Sequence, residues 1–402
     1  MTVAIISEYN PFHSGHGYQI KAIREEFGSD TEIIAVMSGN FTQRGELAIA
    51  DKYLRSEWAV RCGVNLVLEL PFPYSMSSAE IFARAAVNII KSIGIVDVIS
   101  FGSESGNVDA LIEVAENMLK NEYKTAFSEL SKSSDTKNLG FPALSEAAYI
   151  KAFSKDTNIL KEPNNILAIE YIKAVRELKV PIKIHTVKRL GAGFLSEKIS
   201  DERFQSAMSI RNALYNNENN YINSIPEEIR TSFAEKLSEK EFPIDESKLS
   251  SAIISHFRLN THDGRSIFDA GGGLYCRLKN ASVEAADIKT LVSSTETKKF
   301  TNARIKRALW YSFFGVTSSD VKVLPCFSQV LAFDQKGRSL LKSIKSKSDF
   351  PLITKPSATD SLDSNAKKQK MLLDKADSVF QLAKPKAVSG ADALRRTPFV
   401  KK

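Results

Sequence analysis

Val3-Ala4-Ile5-Ile6-Ser7-Glu8-Tyr9-Asn10-Pro11-Phe12-His13-Ser14-Gly15-His16 runs from a short apolar, β-branched segment through a polar turn into helical spacing that continues to Phe27. A short apolar run bounded by turn residues reads as a buried strand, so the stretch predicts strand, loop and helix N-terminus in immediate succession. Such a junction favours anions, because the first backbone N–H groups of a helix are free and its dipole points its positive end at the loop. Gly15 permits close backbone approach, and two imidazoles, His13 and His16, stand one turn apart as donors to phosphate oxygens. Two ordinary turn histidines, one of them capping the helix, are the plainer alternative.

Outward from this junction the alternation repeats. Glu32 to Met37, Asn65 to Leu70, Val96 to Phe101 and Ile182 to Val187 read as further strands. Gly15 to Phe27, Ile49 to Cys62, Ser77 to Ile93, Asn164 to Leu178 and Arg203 to Tyr215 read as helices. Steady alternation predicts an α/β fold, a Rossmann-like doubly wound parallel sheet, whose ligands bind at the carboxyl ends of the strands. The turns there hold Ser38-Gly39-Asn40-Phe41 with Gln43-Arg44-Gly45, then Gly102-Ser103-Glu104, then Lys188-Arg189-Leu190-Gly191-Ala192-Gly193. Arg44 and Arg189 can neutralise phosphate or carboxylate, or they are solvated charges on tight turns. Ser206-Ala207-Met208-Ser209-Ile210-Arg211 opens the last helix, where hydroxyls such as Ser209 and the cation Arg211 suit β- and γ-phosphates.

From Asn216 the composition turns polar, Glu/Lys-rich and helical, and this predicts a mostly helical second domain over 216–355 after an α/β domain over 1–215. A β-like run appears at Val321 to Leu331. The remaining stretch, 356–402, reads as a basic tail with one helix near Ala366 to Leu382 and a mobile end. Net charge is +8, and Leu341 to Lys402 carries 14 Lys/Arg against 6 Asp/Glu, leaving 41 of each sign before it. A neutral body with a basic arm suits a polyanion such as RNA, although a solubilising tail has the same composition. Thr297 to Arg307 holds five basic residues and no acidic one, with Trp310 and Tyr311 following. Lys298, Lys299, Arg304 and Arg307 are the candidate RNA contacts, with an aromatic ring to stack on an unpaired base; a solvated helix face with Trp310 in the core competes with that reading.

Three cysteines, Cys62, Cys276 and Cys326, lie far apart with no metal-ligand spacing, so neither a disulfide framework nor a structural zinc is expected, and a reducing cytoplasm fits. No charged leader and no apolar stretch of bilayer length appears, so neither secretion nor membrane insertion is expected.

Glu8 to His16, Met37-Ser38-Gly39-Asn40-Phe41 with Gln43-Arg44-Gly45, Glu69-Leu70-Pro71, Phe101-Gly102-Ser103-Glu104, Pro163-Asn164-Asn165-Ile166-Leu167 and Thr297 to Arg307 occur in order over roughly residues 1 to 355. Together they resemble the bacterial tRNA(Met) cytidine acetate ligases, a branch of the nucleotidylyltransferases with the H-x-G-H signature. The resemblance implies an enzyme that uses ATP and acetate to make N4-acetylcytidine at the wobble position of elongator tRNA(Met). Mg2+ is expected to bridge the phosphates, because their hard oxygens suit it and the protein need supply few ligands. The resemblance also implies His13 and His16 as catalytic groups. Its ATP site comprises Ser7, Glu8, Tyr9, Asn10, Pro11, Phe12, His13, Ser14, Gly15, His16, Gly17, Tyr18, Gln19 and Ile20, then Gly102, Asn164, Arg189 and Leu190. Two departures stand out: Gln19 where the family often has His, and Gly193-Phe194-Leu195-Ser196-Glu197 in place of a Gly-Tyr-His-Asp-like stretch. No dedicated protein metal site is legible. An adenylyltransferase acting on a phosphorylated small molecule and a non-catalytic, ATP-sensing RNA-binding protein are the alternatives.

Overall fold

The computed structural model describes residues 1–133, 136, 139–189, 205–261 and 263–402. Five parallel strands form the floor of the molecule: β1 (Thr2–Ser7), β2 (Glu32–Ser38), β3 (Leu66–Leu70), β4 (Val98–Ser103) and β5 (Lys183–Lys188). They lie in the order β5-β4-β1-β2-β3, so the chain winds one way from β1 through β3 and the other way through β4 and β5. The winding reverses beside β1, and that crevice is where an open α/β sheet leaves room for a ligand.

Strand residues alternate between two apolar layers, as the period of a strand requires. Ala4, Ile6, Ile34, Val36, Leu66, Leu68, Ile99 and Phe101 pack on one face. There they meet α3 (Ala79–Ile93), α4 (Val108–Leu119) and α7 (Pro163–Glu177). Val3, Ile5, Ile33, Ala35, Met37 and Val67 face the other way, onto α1 (Ser14–Phe27), α2 (Lys52–Arg61) and α8 (Ala207–Tyr215). Both faces are covered, which is why these strands are continuous apolar runs. The sequence reading assigned no elements between β4 and α7, where α4 is followed by α5 (Asn121–Lys132) and α6 (Phe141–Phe153).

The C-terminal half is mostly helical, as expected. Helices Ser250–Leu259, Leu274–Ser282, Ile288–Thr295 and Asn302–Phe314 gather around Trp310, Tyr311, Phe257 and Leu278. The chain then returns to the first sheet. β6 (Ser328–Phe333) pairs antiparallel with β3, and β7 (Leu352–Ile353) and β8 (Phe399–Val400) pair parallel with β6. Val330, Leu331 and Ala332 are fully buried, and a strand apolar on both faces needs a covered position inside a sheet. The sequence divisions at 215 and 355 therefore cut through a single sheet.

The expectation of a basic tail with a mobile end is also revised. Helix Ser364–Phe380 buries Ala366, Gln369, Leu373, Ala376, Asp377 and Phe380, a helical stripe that a composition rich in Lys, Ser and Asp conceals. Beyond it, helix Gly390–Arg395 packs back on this helix, and β8 reaches the sheet. Among the described residues, no helix is long and apolar enough to cross a membrane.

Candidate functional site

At the end of β1 the chain enters a left-handed turn at Tyr9, whose φ is +45°. Such a conformation costs a non-glycine residue about 1–3 kcal/mol and persists only where surroundings enforce it. Here they do: the Tyr9 ring is buried against Phe12 at 4.8 Å and meets His16 edge-on at 4.9 Å, while Asn10 Oδ1 accepts from the Ile49 N–H at 2.7 Å. His13 then caps α1, and Phe12 and Ile20 are buried beneath.

The two histidines are locked by the helix start itself. Gly15 N–H donates to His13 Nδ1 at 3.0 Å, and His13 N–H donates to His16 Nδ1 at 3.2 Å. A ring nitrogen that accepts carries no proton, so in each neutral imidazole the proton sits on Nε2, ready to be donated. Burial keeps both rings neutral: it pushes His13 down to about 3, helped by Arg189 and Arg211. Burial likewise holds His16 well below the usual imidazole value, with His13 and Arg189 adding to it. The ring centroids are 3.9 Å apart. Gly15 has a further reason beyond closeness to a phosphate, since a Cβ there would stand 2.8 Å from His13 Cε1.

These rings line a cleft of about 420 Å³ at the reversal point of the sheet. Of the residues singled out in the sequence, Ser7, Glu8, Tyr9, Asn10, His13, His16, Gln19, Gly102, Asn164, Arg189 and Arg211 line it, and Arg44 joins them. Pro11, Phe12, Ser14, Gly15, Gly17, Tyr18, Ile20 and Ser209 are not among the lining residues. Ser14 donates instead to the Ser224 carbonyl at 3.0 Å, so it ties the helix start to the next region. Ser209 is exposed, and its N–H is taken by the capping hydroxyl of Ser206 at 3.1 Å; Ser206, Ala207 and Met208 are the lining residues of that helix start. Leu190, like Gly193 to Glu197, lies outside the described residues.

Each remaining wall has a local cause. Glu104 accepts from Asn164 N–H at 3.1 Å, from Asn164 Nδ2 at 2.6 Å and from Asn165 N–H at 2.8 Å. A carboxylate on the free N–H groups of α7 satisfies them and opposes the helix dipole, so Glu104 sets where Asn164, Leu167 and Tyr171 meet the cleft. Gly102 sits where an added Cβ would press on Arg189 Cγ at 3.1 Å. Arg211 Nη1 donates to the Asn10 carbonyl at 2.8 Å, and its other nitrogen is 3.7 Å from Glu46.

Arg55 and Lys52, on α2, escaped the sequence reading. Arg55 is fully buried and donates to the carbonyls of Glu8, Ser38, Gly39 and Ala50, tying together the exits of β1 and β2. Lys52 is buried between Glu69, 2.7 Å away, and Asp377, 2.6 Å away. An added Cβ on Gly39 would lie 2.2 Å from Glu69 Oε1, so the loop after β2 packs directly on this cluster. The one local signal was Asp51, which caps α2 at Tyr53 N–H.

The family model described as HIGH Nucleotidyl Transferase matches residues 1–393. Proteins named tRNA(Met) cytidine acetate ligase from Thermoanaerobacter sp. (strain X514) and Clostridium tetani are 36% and 37% identical, with 99% and 92% of this chain and 99% and 95% of theirs aligned. The chain belongs to the tRNA(Met) cytidine acetate ligase family. The crystal structure of Thermotoga maritima TmcAL bound with alpha-thio ATP superposes with a TM-score of 0.90 at 29% identity, covering all of both chains. The α/β nucleotidylyltransferase architecture expected from the first strand and its turn is thereby established for this ligase-family chain.

The sequence-predicted RNA contacts divide in the structure. Lys298 and Lys299 are exposed, with Lys299 donating to the Gly272 carbonyl at 3.0 Å. Arg304 and Arg307 both pair with Asp269, at 3.1 and 3.0 Å, so their guanidinium groups brace the 269–271 loop. Trp310 and Tyr311 are fully buried, Trp310 against Phe41, Phe313 and Phe314. A ring in that position cannot stack on a base, which corrects the expectation for this segment.

Proposed function

We propose that this chain forms acetyl-adenylate from ATP and acetate in the cleft and transfers the acetyl group to N4 of the wobble cytidine of elongator tRNA(Met). The observation that carries the reading is the pair of neutral imidazoles, His13 and His16, each with Nδ1 occupied by a backbone N–H at the start of α1. Their Nε2–H groups are preorganised donors for the charge that builds on the α-phosphate oxygens when an acetate oxygen attacks phosphorus and pyrophosphate leaves. Arg211, Arg189 and Arg44 line the same cleft and suit the remaining phosphates and the carboxylate. Magnesium enters as part of the substrate, because hard phosphate oxygens are its preferred ligands. Phe82, Phe101, Leu167 and Tyr171 give the cleft an apolar side suited to a base. The exposed Lys298 and Lys299 support a tRNA-facing role for the helical region, and the reducing cytoplasm is the compartment that fits a tRNA substrate and unpaired cysteines.

The test is exchange of labelled pyrophosphate into ATP with magnesium, across a panel of small carboxylates, with and without unmodified tRNA. Acetate-dependent exchange that is lost in His13→Ala supports the reading. Failure of exchange with every carboxylate, even with tRNA present, refutes it and points to an adenylyltransferase acting on a phosphorylated acceptor.

A further inference from the structure

Transfer to cytidine has a requirement that adenylation lacks. When the exocyclic amine attacks the acyl carbon, the new N–C bond forms, the C–O bond to phosphate breaks with its electrons leaving on AMP, and the nitrogen must lose one proton. A base within reach of that nitrogen speeds such a step by about 10²–10⁴-fold. His13 and His16 are poorly suited to the task, since each already spends its basic nitrogen on a backbone N–H.

Among the described residues, two carboxylates line the cleft, Glu8 and Glu46. Glu46 is committed elsewhere: one oxygen is 2.9 Å from Lys306 Nζ and the other 3.7 Å from Arg211. Glu8 is different. It stands at the exit of β1, five residues before His13, and none of the ion pairs found among the described residues includes it. Its Oε1 accepts from the Gln43 N–H at 2.8 Å, and its backbone carbonyl is gripped by Arg55 at 2.5 Å. Side chain and main chain are thus both fixed, and Oε1 is the oxygen that the Gln43 N–H holds.

We infer that the Glu8 carboxylate accepts the proton from the acceptor amine during acyl transfer. The inference rests on the acetate ligase reading and names the base for its second half. Burial raises the Glu8 carboxyl above its ordinary value, against the opposing pull of the Gln43 N–H, Arg211 and Arg55, with Glu46 adding to the rise. A raised value makes the carboxylate a stronger base. Among the described residues, the other charged or titratable groups facing the cleft are His13, His16, Tyr9, Arg44, Tyr171 and Arg189. From Glu8 the proton passes to solvent or to the departing AMP as products leave.

The experiment separates the two half-reactions on the full-length protein. Pyrophosphate exchange reports adenylation, and single-turnover transfer from enzyme-bound acetyl-adenylate to tRNA reports the second step. Glu8→Gln is expected to slow transfer about 100-fold more than it slows exchange. Glu8→Asp is expected to recover part of the transfer rate, and the acidic limb of the transfer rate against pH is expected to flatten in Glu8→Gln. Equal loss of both half-reactions, or transfer at the native rate, overturns the inference while leaving the ligase reading in place. Absence of acetate-dependent exchange in the native protein overturns both.

Discussion

Lys52 and Asp377 lie 325 positions apart in the chain and 2.6 Å apart in the fold. Their contact joins the helix that follows β2 to the last long helix, with Glu69 at 2.7 Å completing the cluster and Asn40 donating to Asp377 at 2.9 Å. Asp51, next in line, pairs with Lys384 and Arg396 at 3.4 Å each. The C-terminal segment therefore supplies the counter-charges for a helix whose Arg55 holds the mouth of the cleft.

Removing one partner from a buried ion pair leaves an uncompensated charge and typically costs about 3–5 kcal/mol. Because Glu69 remains beside Lys52, Asp377→Ala is expected at the lower end, about 3 kcal/mol. The urea midpoint should fall accordingly, and a loss under 1 kcal/mol would show that the tail does not support the core.

Gly15→Ala places a methyl 2.8 Å from the His13 ring. The ring caps α1 through Nδ1 and must shift to admit the methyl, so a modest loss of stability is expected, while displacement of the donor by about 1 Å is expected to cost on the order of 10²-fold in pyrophosphate exchange. His13→Ala, which removes the donor outright, should cost about 10²–10³-fold in the same assay.

The buried, neutral histidines make stability pH-dependent with a definite sign. An unfolded His binds a proton near pH 6.5, whereas folded His13 is held down to about 3. Below pH 6.5 the unfolded chain binds more protons, so stability is fully present above that pH and declines as pH falls toward 3. Denaturant midpoints between pH 7.5 and 4.5 should drop for the native protein and drop less steeply for His13→Gln.

Glu104→Gln weakens the hold on three donors at the start of α7. A charge-assisted hydrogen bond contributes about 1.5–3 kcal/mol, and one amide oxygen in place of two carboxylate oxygens retains part of it. The expected result is a several-fold rise in KM for ATP with a smaller change in kcat, measured by exchange at varied ATP. A pure loss of kcat would mean that α7 serves the chemistry and not the binding of the nucleotide.

Lys298→Ala and Lys299→Ala should each weaken tRNA binding and reduce the slope of log affinity against log salt by about 1. Arg304→Ala should lower stability and leave the salt slope unchanged, because its guanidinium is spent on Asp269 and the Gly271 carbonyl. A change of slope in Arg304→Ala alone would reverse this assignment.

What the sequence by itself determined is the local half of the protein. β1 to β5, the helices after β1, β2 and β3, and the loop from Ser7 to His16 follow from short-range rules: apolar period, caps, and a turn that exposes N–H groups. The resemblance of that loop and its companion motifs to one ligase family pointed to the same chemistry. Tertiary structure decided whatever depends on competition for partners. Arg304 and Arg307 are cations in any reading of the chain, but only the approach of Asp269 makes them braces. Glu8 and Glu46 are equivalent as letters, and only the placement of Lys306 and Arg211 commits one and leaves the other for chemistry. The apolar run at Val330 to Ala332 and the stripe on helix Ser364–Phe380 announce burial without saying against what. The reason is physical: a residue's period and propensity act over a few neighbours, whereas charge neutralisation and sheet pairing are settled between segments hundreds of residues apart.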